Sequence, residues 1–206
     1  MTATDQLARE EREEFAALLE GLTPQQWESP TLCEKWRVRD VVAHVIGYDP
    51  LSRLHLMRRM AKGLVTRGGA NAVGVADYVD KSPEELTALV RQYAVPQGLT
   101  AGFGGRIALT DGMIHQQDIR RPLGKPRTID SERLRVALDF SKFAPRILGA
   151  LRARGVQLVA TDLDWSYGRG SEVRGPGEAL LMAMAGRRAA LDDVDGPGKT
   201  KLAQRV

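Results

Sequence analysis

The chain has 206 residues, of which 43% are hydrophobic and 27% are charged, and its formal net charge is +4. These values are typical of one globular domain, or of one domain with a small appendage, and they exclude a fibrous or disordered chain. No apolar run approaches the roughly 20 residues of a membrane span. A single cysteine excludes an internal disulfide framework, and the charged first residues do not resemble a signal peptide. We therefore expect a soluble cytoplasmic protein with no membrane partner.

The basic residues do not predict nucleic-acid binding. Arginines alternate with glutamates over residues 9–14, a pattern that is typical of a solvated helix face. Aromatic residues make up only 5% of the chain, and we find no cluster of basic and aromatic side chains of the kind that stacks bases.

Helical spacing of apolar residues dominates the first 150 positions. It predicts long helices over about 4–22, 37–60 and 107–121, and a shorter one over about 82–93. Thr23 and Pro24 form a typical start for a short helical turn. Ser82 and Glu85 form a capping box, and Pro50 predicts a kink or a division of the second long helix.

Glycines mark two predicted loops, over residues 63–74 and 96–105. Asp130 is predicted to cap a further helix, which Pro145 interrupts. From Gly155 the period changes to that of a strand over 156–161, with a second short strand over 164–167.

An apolar helix follows Gly175-Pro176, and the chain ends in a polar tail. We therefore expect a mainly α protein, with a helical bundle over residues 1–154 and a short α+β segment over 155–206.

The chain has three histidines, and each is a candidate for chemistry. Asp111, His115 and Asp118 share one face of a predicted helix, and a carboxylate with an imidazole four residues on can bind one metal ion. The alternative is an ordinary hydrogen bond on a helix surface.

His44 has apolar neighbours and is either a buried histidine satisfied by Asp40 or a third metal ligand brought to the same site by packing. His55 lies too far along the chain from His44 to join it and is interpreted as a structural or surface residue. Cys33 is interpreted as a small buried hydrophobic residue. Gly198-Lys199-Thr200 lacks the leading glycine of a phosphate loop and is rejected.

Three blocks of sequence, taken together, point to one family. They are Leu22-Thr23-Pro24 through Trp27, Cys33 and Trp36 to His44; Asp111 through His115 to Ile119; and Ala160-Thr161-Asp162 through Trp165 and Gly175-Pro176 to Arg187. In this order they resemble the mycothiol-dependent maleylpyruvate isomerase family, whose members are actinobacterial representatives of the DinB-like (YfiT-like) metal-binding four-helix bundles.

The resemblance implies a site. It makes His44, Asp111 and His115 the ligands of a divalent metal, with zinc the usual ion. It makes Asp118 a pocket residue one turn beyond the metal, and Arg187 the cation that holds a substrate carboxylate. The alternative for Arg187 is a helix C-terminal cap. The family carries glutamate where this chain has Asp111, and the C-terminal segment here is shorter than in the isomerase.

The resemblance also implies an activity. The sulfur of mycothiol, the thiol cosubstrate, adds to a conjugated double bond of a small electrophilic substrate, the resulting single bond rotates, and elimination gives the other geometric isomer. A thiol S-transferase would keep the adduct. The alternative is a metal-binding or metal-free bundle that keeps the fold without catalysis. In either case the sequence leaves a homodimer open.

Overall fold

The computed structural model describes residues 2–144 and 146–206. Pro145, where the sequence predicts an interruption, lies outside the described residues. The chain divides into two compact units that meet between Pro126 and Arg127. Within the described part of the chain, no helix combines the length and the apolar character needed to cross a bilayer.

The first unit is helical throughout. Its helices are α1 Ala3–Glu20, α2 Pro24–Trp27, α3 Val38–Ile46, α4 Arg53–Val65, α5 Gly69–Ala76, α6 Pro83–Gln92 and α7 Arg106–Arg120. The second long helix predicted from the sequence is divided at Pro50 into α3 and α4.

Local capping chemistry explains where two of these helices begin. The Thr23 hydroxyl accepts a hydrogen bond from the Gln26 backbone N–H, and the Gln26 side chain accepts one from the Thr23 N–H. Ser82 and Glu85 make the same reciprocal pair at the start of α6. Each pair satisfies backbone donors that a helix start otherwise leaves open, and both predicted caps are confirmed.

Four helices form a bundle. Helices α1 and α3 each pack against both α6 and α7, which places α1 diagonally opposite α3. The core between them is apolar and fully or almost fully buried, and includes Phe15, Leu19, Val42, Ile46, Leu86 and Val90. The packing of α3 on α7 positions the site described below.

The glycine-rich stretch 63–74, predicted to be a loop, is mostly helical, so that prediction was wrong. Helix α4 continues to Val65 and α5 begins at Gly69. A Cβ at Gly63 would lie 2.4 Å from the Ala70 nitrogen, and one at Gly74 would lie 2.8 Å from the Arg59 guanidinium. These glycines let α4 and α5 pack closely, because no side chain fits between them.

The second unit combines helices with a small mixed sheet. Its elements are α8 Ser131–Ser141, α9 Gly149–Arg152, β1 Val156–Ala160, β2 Ser166–Gly168, β3 Ser171–Gly175, α10 Gly177–Met184, a 3-10 helix Arg188–Asp193 and α11 Lys199–Ala203. Asp130 caps α8, as predicted, by accepting from two backbone N–H groups.

Strand β1 lies in the middle of the sheet, antiparallel to β2 and parallel to β3. Sequence reasoning missed β3, because its charged, glycine-bounded residues carry no strong strand pattern. Helix α8 packs on α10, so residues 127–154 group with the C-terminal residues. The sequence predicts a domain boundary after residue 154, whereas the compact units divide after Pro126. The domain boundary itself stays a prediction.

The sequence predicts a polar tail at the C-terminus, but the structure buries several apolar residues there. Ala190, Val194 and Leu202 are buried, and α11 packs against β3. These apolar residues are too widely spaced among polar ones to form a visible helical stripe. The mainly α fold class itself is confirmed.

Candidate metal centre

Two neighbouring helices of the bundle carry the candidate ligands. His44 lies near the end of α3, and Asp111, His115 and Asp118 lie along α7. Positions 111, 115 and 118 are spaced by about one helical turn each, so their side chains leave α7 on one face. Because α3 packs on α7, His44 reaches that same face.

One carboxylate oxygen of Asp111 lies between the two imidazole rings. Asp111 Oδ1 is 3.8 Å from His44 Nε2 and 3.5 Å from His115 Nε2. The rings stand edge to face, with centroids 4.8 Å apart and an angle of 83° between their planes. One donor atom from each of the three residues therefore lies within 4.8 Å of the others.

These distances suit metal ligands better than hydrogen bonds. Strong N–H···O bonds are about 2.7–3.2 Å long. Two donors on a tetrahedral zinc ion, each bonded at about 2.0–2.2 Å, lie about 3.4 Å apart. The separations of 3.5 and 3.8 Å are close to that second value. The two histidines and Asp111, although shorter than glutamate, therefore fit a zinc-type donor set.

Asp118 bonds to Nδ1 of His115, the ring nitrogen that does not face Asp111. Its Oδ2 lies 2.9 Å from His115 Nδ1, and its side chain is completely buried. An ionised carboxylate only accepts hydrogen bonds, so this contact places the proton on Nδ1 and turns Nε2 towards Asp111. Metal-binding histidines are commonly oriented by such a carboxylate. Asp118 therefore positions His115. Its role as a pocket residue, which the resemblance implied, stays a prediction.

The charges at the site favour an ion pair when no metal is bound. Partial burial opposes ionisation of Asp111, but the charge of His115 and the close approach of the His115 and His44 imidazoles outweigh it, so the pKa of Asp111 lies well below its usual range. Burial also opposes protonation of His115, but Asp111, with Asp118 and Cys33, holds the pKa of His115 well above its usual range. A metal ion would take the place of the proton on His115.

The buried-histidine interpretation of His44 required Asp40 as its partner. Asp40 instead accepts hydrogen bonds from the backbone and side chain of Arg37, at the start of α3. The His44 ring contacts the indole of Trp36, with centroids 4.9 Å apart, and its Nε2 faces Asp111. This orientation favours the interpretation of His44 as a ligand.

The sequence interpretation of Cys33 as a small buried hydrophobic residue missed the polar contacts of its thiol. Its Sγ lies 3.0 Å from Asp118 Oδ2 and 3.5 Å from His115 Nδ1. It was missed because 82 positions separate it from His115. Trp36, whose ring centroid is 4.9 Å from His44 and 6.4 Å from His115, was also missed as a wall of the site.

The remaining two candidates lie elsewhere. His55 is on α4, where it is exposed and its Nδ1 lies 3.0 Å from the Ser52 hydroxyl, which agrees with a structural or surface residue. Arg187 is in the second unit, just before the 3-10 helix, and donates a hydrogen bond of 2.8 Å to the Ala185 carbonyl. This local contact does not test its role in substrate binding, which stays a prediction.

The family model of the mycothiol maleylpyruvate isomerase N-terminal domain matches residues 8–95. This segment belongs to the mycothiol maleylpyruvate isomerase family. The matched segment includes Cys33, Trp36 and His44 and ends before α7. The other candidate residues, Asp111, His115 and Asp118, lie on α7, outside the match. The match supports the family expected from the three sequence blocks, the first of which it covers.

Two solved structures resemble the whole chain. One is a histidine-to-alanine mutant of the mycothiol-dependent maleylpyruvate isomerase, with a TM-score of 0.64 and 17% identity. The other is described as the mycothiol-dependent maleylpyruvate isomerase, with a TM-score of 0.55 and 14% identity. Each match covers 95% of this chain and 92% of the other. A search of curated protein sequences found no significant match. At these identities the structural likeness establishes a shared fold.

Proposed function

We propose that this protein is a metal-dependent enzyme that uses a low-molecular-weight thiol, mycothiol, on a small unsaturated or electrophilic substrate. Its reaction is either cis–trans isomerisation of the maleylpyruvate type or thiol S-transfer. The observation that carries the proposal is the convergence of two imidazole nitrogens on one oxygen of Asp111, with His115 held from behind by Asp118.

The donor set supports a catalytic site more than a structural one. Structural zinc sites usually have four protein ligands, whereas catalytic sites have three and leave a position open. A bound divalent ion, zinc in our proposal, would supply a position at which a thiol loses its proton at neutral pH. The side chain of Asp111 is 39% exposed, so small molecules can reach this side of the site from solvent.

The chain's own residues would do the positioning. Asp118 fixes the ring of His115, and the indole of Trp36 packs beside His44 and limits its rotation. Arg187 remains our candidate for binding a substrate carboxylate, since guanidinium groups bind carboxylates through paired, charge-assisted hydrogen bonds. We further propose a cytoplasmic location in an actinobacterium, where mycothiol is the thiol that the family resemblance implies.

The first test is metal analysis of the protein purified without added metal or chelator. We expect about one zinc, nickel or iron ion per chain, as for a single three-ligand site. His44→Ala and His115→Ala should lose it. His55→Ala is the matched control, because it removes the one histidine that lies outside the site, and it should keep full occupancy. If His44→Ala retains its metal, the ligand assignment is wrong.

The second test separates the enzyme from the alternative, a metal-binding bundle without catalysis. Metal-loaded protein is mixed with mycothiol and a small cis-unsaturated keto acid, and both isomerisation and thiol adducts are followed by chromatography. Turnover that disappears in His115→Ala supports the enzyme. Full metal occupancy without isomerised product or adduct, across a panel of unsaturated acids, favours the bundle instead.

A further inference from the structure

Cys33 shares an acceptor atom with His115. The thiol and the His115 Nδ1 both lie within hydrogen-bond distance of Asp118 Oδ2, at 3.0 and 2.9 Å. Asp118 is completely buried, and an ionised carboxylate has no proton to give, so Cys33 is the donor in its contact. One carboxylate oxygen thus joins the thiol to the imidazole.

The same distances argue against Cys33 as a metal ligand. A sulfur and an oxygen bound to one tetrahedral zinc ion lie about 3.6 Å apart. The separation of 3.0 Å between Cys33 Sγ and Asp118 Oδ2 is too short for that arrangement and suits a hydrogen bond. The separations around Asp111, at 3.5 and 3.8 Å, are longer and suit ligands. His115 therefore uses Nε2 towards the metal site and Nδ1 towards Asp118 and Cys33.

A short, well-bonded loop holds the thiol in place. The Thr31 hydroxyl accepts a hydrogen bond from the Cys33 backbone N–H at 3.1 Å and donates to the Trp36 carbonyl at 2.9 Å. The Leu32 backbone N–H donates to the Asp118 carbonyl at 3.0 Å. The loop therefore bonds to the backbone of Asp118, the same residue whose side chain accepts the hydrogen bond from the thiol.

We propose that Cys33 is a positioning residue for the metal centre. Its thiol donates to Asp118 and keeps that carboxylate aligned on His115 Nδ1, so that His115 Nε2 stays directed at the metal. This inference rests on the metal site of the proposed function, because the alignment matters for affinity only if His115 is a ligand. Residues that orient a ligand commonly change metal affinity by about 10–100-fold when they are lost. Cys33 acts one contact further from the metal, so we expect its loss to lower zinc affinity by about 3–10-fold.

The test compares two substitutions that separate hydrogen bonding from packing. Cys33→Ser keeps a donor in a smaller side chain, whereas Cys33→Val keeps the approximate volume without a donor. Zinc affinity is measured for each full-length variant by competition with a chromogenic chelator. We expect Cys33→Ser to stay within about twofold of the parent and Cys33→Val to lose about 3–10-fold. The reverse order would assign Cys33 a packing role and overturn the proposal.

A double-mutant cycle and a spectroscopic measurement sharpen the result. In an Asp118→Asn background, Cys33→Val should cost little more, because residues that act through one contact are not additive. Full additivity would contradict the proposal. In cobalt-loaded parent protein, a thiolate-to-cobalt charge-transfer band before any thiol is added would make Cys33 a ligand, and this too would overturn it.

A readout on the metal-free protein distinguishes failure of this inference from failure of the proposed function. The Nδ1 proton of His115, held by buried Asp118, should be visible by nuclear magnetic resonance and exchange slowly with water. It should remain protected in Cys33→Ser and exchange faster in Cys33→Val. Equal protection in both variants overturns the role of Cys33, whatever the metal titration gives. If the parent binds no metal but the two variants differ in protection, the proposed function fails while the positioning contact stands.

Discussion

Two buried polar clusters of the first unit are built for different purposes. In one, Arg12 and Asp49 pair through two hydrogen bonds of 2.9 and 3.0 Å, with both side chains almost inaccessible to water. Asp49 also accepts from the Gln97 backbone N–H at 3.0 Å and from the Thr100 hydroxyl at 2.6 Å. Every one of these contacts has the length of a good hydrogen bond.

The cluster of His44, Asp111 and His115 differs in its spacing. Its nitrogen–oxygen separations of 3.5 and 3.8 Å exceed a good hydrogen bond, and the Asp111 side chain reaches solvent. A buried polar cluster with hydrogen-bond distances is suited to hold the fold together. A cluster whose donor atoms are spaced like metal ligands, and which solvent can reach, is suited to bind a metal ion. Distance separates the two clusters more clearly than residue type does, since a carboxylate is central to both.

The largest effect we expect is on stability, from breaking the closed cluster. Asp49→Ala leaves the Arg12 guanidinium buried without its carboxylate, which costs about 3–5 kcal/mol. For a chain of this size that lowers Tm by roughly 6–20 °C in thermal unfolding followed by circular dichroism. Glu20→Ala is the control, because it removes a short but exposed pair with Arg91 and should cost less than about 1 kcal/mol. The zinc affinity of folded Asp49→Ala should stay near the parent value. A large loss of affinity would show that the two clusters depend on each other.

A smaller effect is expected from weakening the support of the open cluster. Asp118→Asn keeps the shape of the side chain but removes the charge that strengthens its bond to His115 Nδ1. We expect zinc affinity to fall about 10–100-fold in a chelator competition, with the metal site still saturable at high zinc. Asp40→Asn, on the helix that carries His44 but bonded to Arg37, is the control and should leave affinity unchanged. Equal losses in both variants would point to a general disturbance of the bundle.

The smallest effect we expect is a dependence on pH at the open cluster of His44, Asp111 and His115. The raised pKa of His115 gives the metal-free protein stability that is complete below the unfolded histidine pKa of about 6.5 and is lost as pH rises through the folded value. The lowered pKa of Asp111 gives stability above about 3.9 that is lost as pH falls through its folded value.

Zinc competes with the proton on His115, so the gain in Tm on adding saturating zinc should increase from pH 6 to pH 8. Apparent affinity should rise by at most about tenfold per pH unit for one displaced proton. His44→Ala should show no zinc-dependent gain at any of these pH values. A gain that is flat or decreasing with pH in the parent would mean that zinc does not displace this proton.

The features that sequence predicted well are local ones. The capping pairs at Thr23 and Ser82 depend on residues three apart, and the shared face of Asp111, His115 and Asp118 follows from helical spacing alone. The family blocks supplied the fold, because they fall in order along most of the chain.

The features that it did not predict depend on packing between distant residues. Cys33 meets Asp118 across 85 positions, and no local pattern signals such a contact. Gly63 and Gly74 form the same pattern as a flexible loop, but they serve the close approach of two helices. The orientation of His44 towards Asp111, and not towards Asp40, was likewise decided by the packing of α3 on α7.

The candidate metal donors and the residues that orient them all precede Pro126, whereas Arg187 belongs to the second unit. In the proposed function, metal chemistry and substrate choice would therefore be encoded in separate stretches of the gene. Substitutions, insertions or wholesale exchange downstream of codon 126 would then alter which molecule is accepted without touching a candidate ligand. A lineage built this way would diversify its substrates while inheriting one reactive centre unchanged.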